Sequence, residues 1–112
     1  MAVYVSNIVI NSGTTFSETF TLESATTNSR FDLSGYSGAA QMRKHAGAST
    51  GHDFTVEFPE PVSAGQIILS MTATTTSAIK AGRYVYDIVI TTGSTKQTVV
   101  EGNVLVREGV TR

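Results

Sequence analysis

The sequence predicts an all-β fold built from two packed sheets, and three observations predict it. Apolar and polar residues alternate with period two in short runs bounded by turn residues, the mark of half-buried strands. Ser and Thr make up about a quarter of the chain, and the stiff β-branch of Thr suits a pleated surface. No stretch offers a convincing amphipathic helix.

The first run, Val3 to Ile10, closes at Asn11-Ser12-Gly13. The second, Thr15 to Glu23, sets Phe16, Phe20 and Leu22 on one face and Thr15, Ser17, Thr19 and Thr21 on the other. Glu18 interrupts the inner face, which places this strand at a crossing or an edge. A polar loop covers Ser24 to Arg30. Beyond Phe31-Asp32-Leu33-Ser34-Gly35, a third run puts Tyr36, Gly38, Ala40 and Met42 on one side, and its small residues imply close approach of another layer. His45 to His52 reads as a Gly/Ala/Ser loop. Phe54, Val56 and Phe58 then alternate with Thr55 and Glu57 until Pro59 and Pro61, which cannot donate to a ladder. Ile67, Leu69 and Met71 alternate with Ile68, Ser70 and Thr72. Thr74 to Ala81 lacks alternation and reads as a connection with room for one helical turn. Arg83 to Thr91 is nearly continuously apolar and therefore central, with Tyr84, Tyr86, Ile88 and Ile90 on its buried face. Thr92-Gly93-Ser94-Thr95 makes a hairpin turn, and Gln97 to Arg107 returns with Val100, Val104 and Val106 in phase, interrupted at Gly102.

About seven antiparallel strands at this spacing predict an immunoglobulin-like β-sandwich, with a β-barrel as the structural alternative. Residues 1–112 read as a single domain, because cores of roughly 100–150 residues are the commonest and two would each be too small. Gly82-Arg83-Tyr84-Val85-Tyr86 fits two descriptions. One is a tyrosine corner, in which a Tyr near the start of a late strand bonds back to the preceding loop; the other is a pair of ordinary strand residues.

Composition narrows the function. Hydrophobic residues at 40%, charged residues at 15% and a mean hydropathy of +0.04 describe a chain that folds rather than a disordered tail. A formal net charge of −1 gives no positive field to gather phosphates, so nucleic acid is not an expected partner. Without cysteine there are no disulfides, thiolate nucleophiles or cysteine-ligated zinc sites. MAVYVSNIVI carries no basic region followed by a long apolar one, and no run approaches the roughly 18 apolar residues of a membrane span. The expectation is a product of the cytoplasm with no membrane partner.

No catalytic, cofactor-binding or metal site is expected. His45 and His52 flank one loop beside Asp53, but a seven-residue spacing across Gly and Ser fixes neither ring, and metal sites need ligands held by supporting hydrogen bonds. Both histidines therefore read as solvated loop residues. Glu57 lies on a strand and Glu60 between two prolines, so they read as exposed acids rather than a carboxylate pair. No Ser sits in a G-x-S-x-G elbow, and no Gly-rich loop with Lys cradles phosphate. Arg43-Lys44-His45, the one local basic cluster, reads as a strand end kept soluble by charge or, alternatively, as a contact for an acidic surface.

Asp32-Leu33-Ser34-Gly35-Tyr36 with Gln41-Met42-Arg43-Lys44 resembles the D-L-[ST]-G-Y…[QL]-[IM]-R-K pattern of immunoglobulin-like domains in tailed-phage virion proteins. Gly65 to Thr72, Ala81 to Asp87, Val100-Glu101-Gly102 and the closing Val110-Thr111-Arg112 continue the resemblance over nearly the whole chain. It is similar to the N-terminal domain of siphophage upper baseplate proteins, and more so to small structural or baseplate wedge proteins of large cyanophages. The resemblance implies a non-enzymatic virion structural protein, an adaptor in the tail or baseplate region. It would bind neighbouring virion subunits in multiple copies within a symmetric assembly and carries over no catalytic residue. The larger family members continue where this chain stops, which leaves tail, baseplate or capsid open. The alternatives are a capsid decoration protein and a carbohydrate-binding β-sandwich; the absence of Trp speaks against the second. An exposed sheet edge and nearly uncharged, Thr-rich outer faces are the expected contact surfaces.

Overall fold

The computed structural model describes residues 4–22, 32–49 and 51–109. Along them run β1 (Tyr4–Val5), β2 (Ile8–Asn11), β3 (Phe16–Thr21), β4 (Ser37–Arg43), β5 (His52–Asp53), β6 (Thr55–Glu57), β7 (Gln66–Met71), a short helix α1 (Ala73–Ser77), β8 (Gly82–Thr92) and β9 (Thr95–Arg107). The strands form two sheets. The larger has the order β1 and β2, β9, β8, β4, β5; the smaller is β3, β7, β6. The inner faces close on one another in a sandwich, as the period-two runs require.

The apolar run of β8 is central, flanked by β4 on one side and β9 on the other. Its inner residues Tyr84, Tyr86, Ile88 and Ile90 are all buried, and from the smaller sheet Phe16, Phe20, Ile67, Leu69 and Met71 pack against them. The hairpin turn lies where expected: Thr92 pairs with Thr95, and Gly93 takes the left-handed conformation at φ 55°. Register slips between Ile88 and Val89, so Val99 is an extra residue in β9 and both Val99 and Val100 are buried. Gly38 bears out the expected close approach, since a Cβ there would stand 2.8 Å from Val56 Cγ1 and 2.9 Å from Phe58 Cζ. Glu18 lies on β3, an edge strand of the smaller sheet.

Three expectations need correction. The strands are not all antiparallel: β1 and β2 pair parallel to β9, with Tyr4 opposite Val100 and Ile8 opposite Val104. The first and last strands run in the same direction, and the rest of the chain between them supplies the long crossover that a parallel pair needs. The first run is also broken, between Val5 and Ile8, where the chain passes Gly102. A Cβ on Gly102 would overlap the Ser6 carbonyl, so β9, itself continuous, carries its glycine opposite that break. Hydrogen bonding continues through it, because Ser6 N–H donates to the Glu101 carbonyl (2.9 Å) and Asn103 N–H to the side-chain Oδ1 of Asn7 (3.0 Å). Finally, the run around Phe54 serves both sheets: His52–Asp53 pairs with β4 and Thr55–Glu57 with β7. Phe54, buried between them, donates its N–H to the Ala40 carbonyl at 3.0 Å.

The connection from Thr74 to Ala81 does hold one short helix, capped by Thr72, whose hydroxyl accepts from Thr75 N–H. Thr76, fully buried, ties it to the β2–β3 turn. Its hydroxyl donates to the Thr14 carbonyl (2.7 Å) and accepts from Gly13 N–H (3.1 Å). A buried hydroxyl satisfied on both counts costs little to bury and locks two remote turns together.

Two variants check this architecture. Ile88→Ala leaves a cavity beneath the central strand and is expected to lower unfolding free energy by about 2–5 kcal/mol in denaturant titrations, with Thr91→Ala well below that range. Gly102→Ala drives a methyl into backbone that has no soft side chain to yield; it is expected to cost about 1–3 kcal/mol. Hydrogen exchange at the Ser6 amide should accelerate selectively in Gly102→Ala, because β1 is displaced first.

Candidate interaction surfaces

The Asp32-to-Tyr36 motif proves to be a turn. Asp32 Oδ1 accepts from Ser34 N–H (2.9 Å) and Ser34 Oγ–H (2.6 Å), and these bonds, the hydroxyl first, hold its carboxyl below the usual carboxylate range. Leu33 is buried and donates its N–H to the Val62 carbonyl, while Gly35 takes φ 79°, a left-handed conformation that Gly adopts without a Cβ clash. Each of these residues is accounted for by the turn itself.

Tyr84 meets the description of a tyrosine corner: its hydroxyl donates to the Lys80 carbonyl at 2.6 Å. The Lys44 ammonium stands 4.8 Å from the centre of the same ring, and the His52 ring meets it edge-on at 6.2 Å. His52 is thus a half-buried residue of β5 opposite Met42, not a solvated loop residue; His45 is exposed in the β4–β5 loop. Tyr86 reaches further and donates to the Ser6 carbonyl at 2.6 Å. Burial pushes its phenol above the ordinary tyrosine value, against the opposing effect of that hydrogen bond. Among the described residues, no three His, Cys, Asp or Glu side chains gather closely enough to hold a metal ion. Glu57 and Glu60 are both exposed, one on β6 and one in the following turn.

Part of the basic cluster is used internally. Arg43 donates from Nη1 to the Ala48 carbonyl (2.8 Å) and from Nη2 to Gln41 Oε1 (2.8 Å), and Gln41 passes the chain on to Asp53 Oδ1 (2.5 Å). This network pins the loop between β4 and β5 to the outer face of the larger sheet.

The two outer faces differ in kind. On the smaller sheet, Ser17, Thr19 and Thr21 of β3 lie beside Ser70, Ile68 and Gln66 of β7, with Thr55 and the charged Glu57 of β6 beyond them, a Thr-rich surface with little charge. The larger sheet departs from the expectation of nearly uncharged faces. Its outer face carries Asp87, Glu101, Arg83 and Arg107 together with exposed Val5, Val9 and Leu105, because the strands nearest the first strand alternate apolar inside with charge outside. A depression of about 600 Å³ opens on this face between the sheet and the β4–β5 loop, lined by Val5, Val85, Asp87, Glu101, Arg43 and Ala46.

The edges differ too. β3, with six residues, is the longest edge strand among the described residues. Leu22 donates its N–H across to the Gly65 carbonyl, and by the alternation of an antiparallel ladder Phe20, Glu18 and Phe16 face β7 as well. The N–H and C=O groups of Ser17, Thr19 and Thr21 therefore point outward, unpaired with any strand of this sheet.

No protein-family profile and no curated protein matches the chain. A solved structure that does is that of InlP from Listeria monocytogenes, with a TM-score of 0.50 and 16% identity. The match covers 91% of this chain but 26% of InlP, so the chain spans about a quarter of that protein. At this identity the likeness concerns the fold alone, and it agrees with an all-β sandwich.

Proposed function

We propose that the domain is an immunoglobulin-like sandwich and that it serves as a non-enzymatic structural adaptor of a phage virion, in the tail or baseplate region, binding neighbouring subunits. Strand order supports the first half. In the lettering of such domains, β3, β7 and β6 stand as B, E and D, and β9, β8, β4 and β5 as G, F, C and C′, with the tyrosine corner at the start of F. The first strand lies beside G rather than on the smaller sheet, which leaves B as an edge. The second half rests on the Asp32-Leu33-Ser34-Gly35-Tyr36 and Gln41-Met42-Arg43-Lys44 resemblance.

The single observation that carries the adaptor reading is the open β3 edge. Its outward N–H and C=O groups are a template for a strand from a neighbour, and its outer side chains are neutral, so docking strips away little ionic hydration. Glu18 lies in the inner-face phase of this strand yet is exposed. An inward-phased charge of this kind discourages indiscriminate edge pairing and narrows the choice of partner. Repetition around a symmetric particle turns weak single contacts into firm attachment.

Thr19→Pro tests the edge with little damage to the fold, because it removes an N–H that β7 does not use. The variant is expected to melt within a few degrees of the parent and to be lost from purified particles, whereas the parent is found in them by mass spectrometry and by particle reconstruction. Parent chain absent from virions, or present without a protein neighbour burying about 800 Å² in total, would sink the adaptor reading. Incorporation of Thr19→Pro at parental levels would remove the edge from it.

A further inference from the structure

Glu18 stands in the middle of the open β3 edge. Its own N–H and C=O face β7, where it lies opposite Leu69, while those of Ser17 and Thr19 on either side point outward. Phe16 and Phe20 share its phase and are buried, yet Glu18 is exposed, and among the described residues no ion pair joins it to a basic side chain. Its charge is felt inside the sandwich as well as in solvent. Burial raises the Tyr86 phenol most, the bond to Ser6 opposes that rise, and the Glu18 carboxylate adds to it.

We propose that the β3 edge accepts an extended segment of a neighbouring protein that carries a basic residue opposite Glu18, with small polar residues on either side of it. The proposal rests on the edge reading given above and names the chemistry of the partner. An antiparallel guest exchanges N–H···O=C bonds with Ser17 and Thr19, whose backbone groups face it. The guest residue facing Glu18 then falls on a non-hydrogen-bonded pair, where Cα atoms approach to about 4.5 Å rather than about 5.5 Å and side chains meet most closely. The guest residues before and after it lie in the outer phase beside Ser17 and Thr19, where Ser and Thr can bond across the strands.

Charge complementarity selects the guest. Docking covers the Glu18 carboxylate with guest backbone and side chain, between positions whose own side chains, Phe16 and Phe20, are buried. A carboxylate that loses water without gaining a partner is costly, a second carboxylate adds repulsion, and Lys or Arg replaces the lost hydration. A mismatched guest therefore loses more than a matched one gains, and one charge discriminates among strands that are equivalent in their backbone bonding. A second copy of β3 is a poor guest, because Phe16–Thr21 contains no basic side chain.

Amide NMR of the isotope-labelled chain, titrated with heptapeptides, tests the proposal. The probe Thr-Val-Thr-Lys-Thr-Val-Thr reads the same in both directions and holds its Lys in phase with both Val. Companion peptides carry Gln or Glu at the centre, or exchange the Lys with an adjacent Thr so that the charge moves to the outer phase. Shifts and exchange protection are expected at Ser17, Thr19 and Thr21, with the Lys peptide binding about tenfold tighter than the Glu peptide and the Gln peptide between them. The displaced Lys should give no advantage over Gln, and the preference should shrink as salt is raised. Glu18→Lys should reverse the order; Glu18→Gln, neutral and of the same size, should level it; Thr19→Pro should abolish binding of every peptide. Binding of none of the peptides, shifts centred away from β3, equal affinity for the Lys and Glu peptides, or an order that neither Glu18 variant alters would each overturn the assignment. Charge-blind binding would do so while leaving the open edge intact, whereas virions without the chain would sink the phage reading and leave the Glu18 preference standing.

Discussion

The Ser6 carbonyl is held between the Tyr86 hydroxyl, 2.6 Å away, and the bare Cα of Gly102, and much of the architecture follows from that contact. Tyr86 comes from the centre of the larger sheet and Gly102 from its neighbour β9. Together they hold the first strand on β9 at its break, where the Ser6 carbonyl takes the space that a side chain at position 102 would fill. A buried phenol must find a hydrogen-bond acceptor, and a backbone carbonyl freed from a ladder must find a donor. Each need is met by the other, eighty residues apart in sequence.

Placing the first strand on β9 divides labour between the sheets. The larger sheet gains a sixth segment and an edge decorated with Val5 and Val9; the smaller is left with three strands and β3 uncovered. One side of the sandwich is therefore a sparsely charged surface with a long open edge, and the other a charged, partly apolar face bounded by the short strands β1, β2 and β5. Neither resembles an enclosed pocket with converging polar groups. Tyr84, Lys44 and His52 gather on one another to fasten the mouth of the β4–β5 loop to the start of β8.

Alternation made most strands legible, because Phe16, Phe20, Ile67, Leu69, Ile88 and Ile90 report burial directly through their spacing. Pairing partners were not legible. Whether Val3 to Ile10 joins the last strand or the second depends on Gly102 and Tyr86, which lie far away in sequence. The double role of the Phe54 run was hidden for a similar reason: its alternation continues smoothly while the sheet it serves changes. Thr76 gave no signal, since a buried Thr among four threonines of a turn looks like any solvated one. The charged outer face was visible residue by residue, yet the opposition of Asp87 and Glu101 emerges only once the β8–β9 register, with its extra residue at Val99, is known. The histidines show the converse, for His52 in sequence sits at the end of a flexible loop and in the fold is a strand residue against an aromatic ring.

The parallel pairing of β1 and β2 with β9 also has a mechanical meaning. Tension applied along the chain between Tyr4 and Arg107 would drag the two strands past each other in opposite directions, perpendicular to the hydrogen bonds that join them. The bonds from Tyr4 to Asn11 would then carry the load together, as fibres in a lap joint do, whereas an antiparallel terminal pair pulled the same way would peel open one rung at a time. The rest of the sandwich lies outside the direct line of force, sheltered behind that joint.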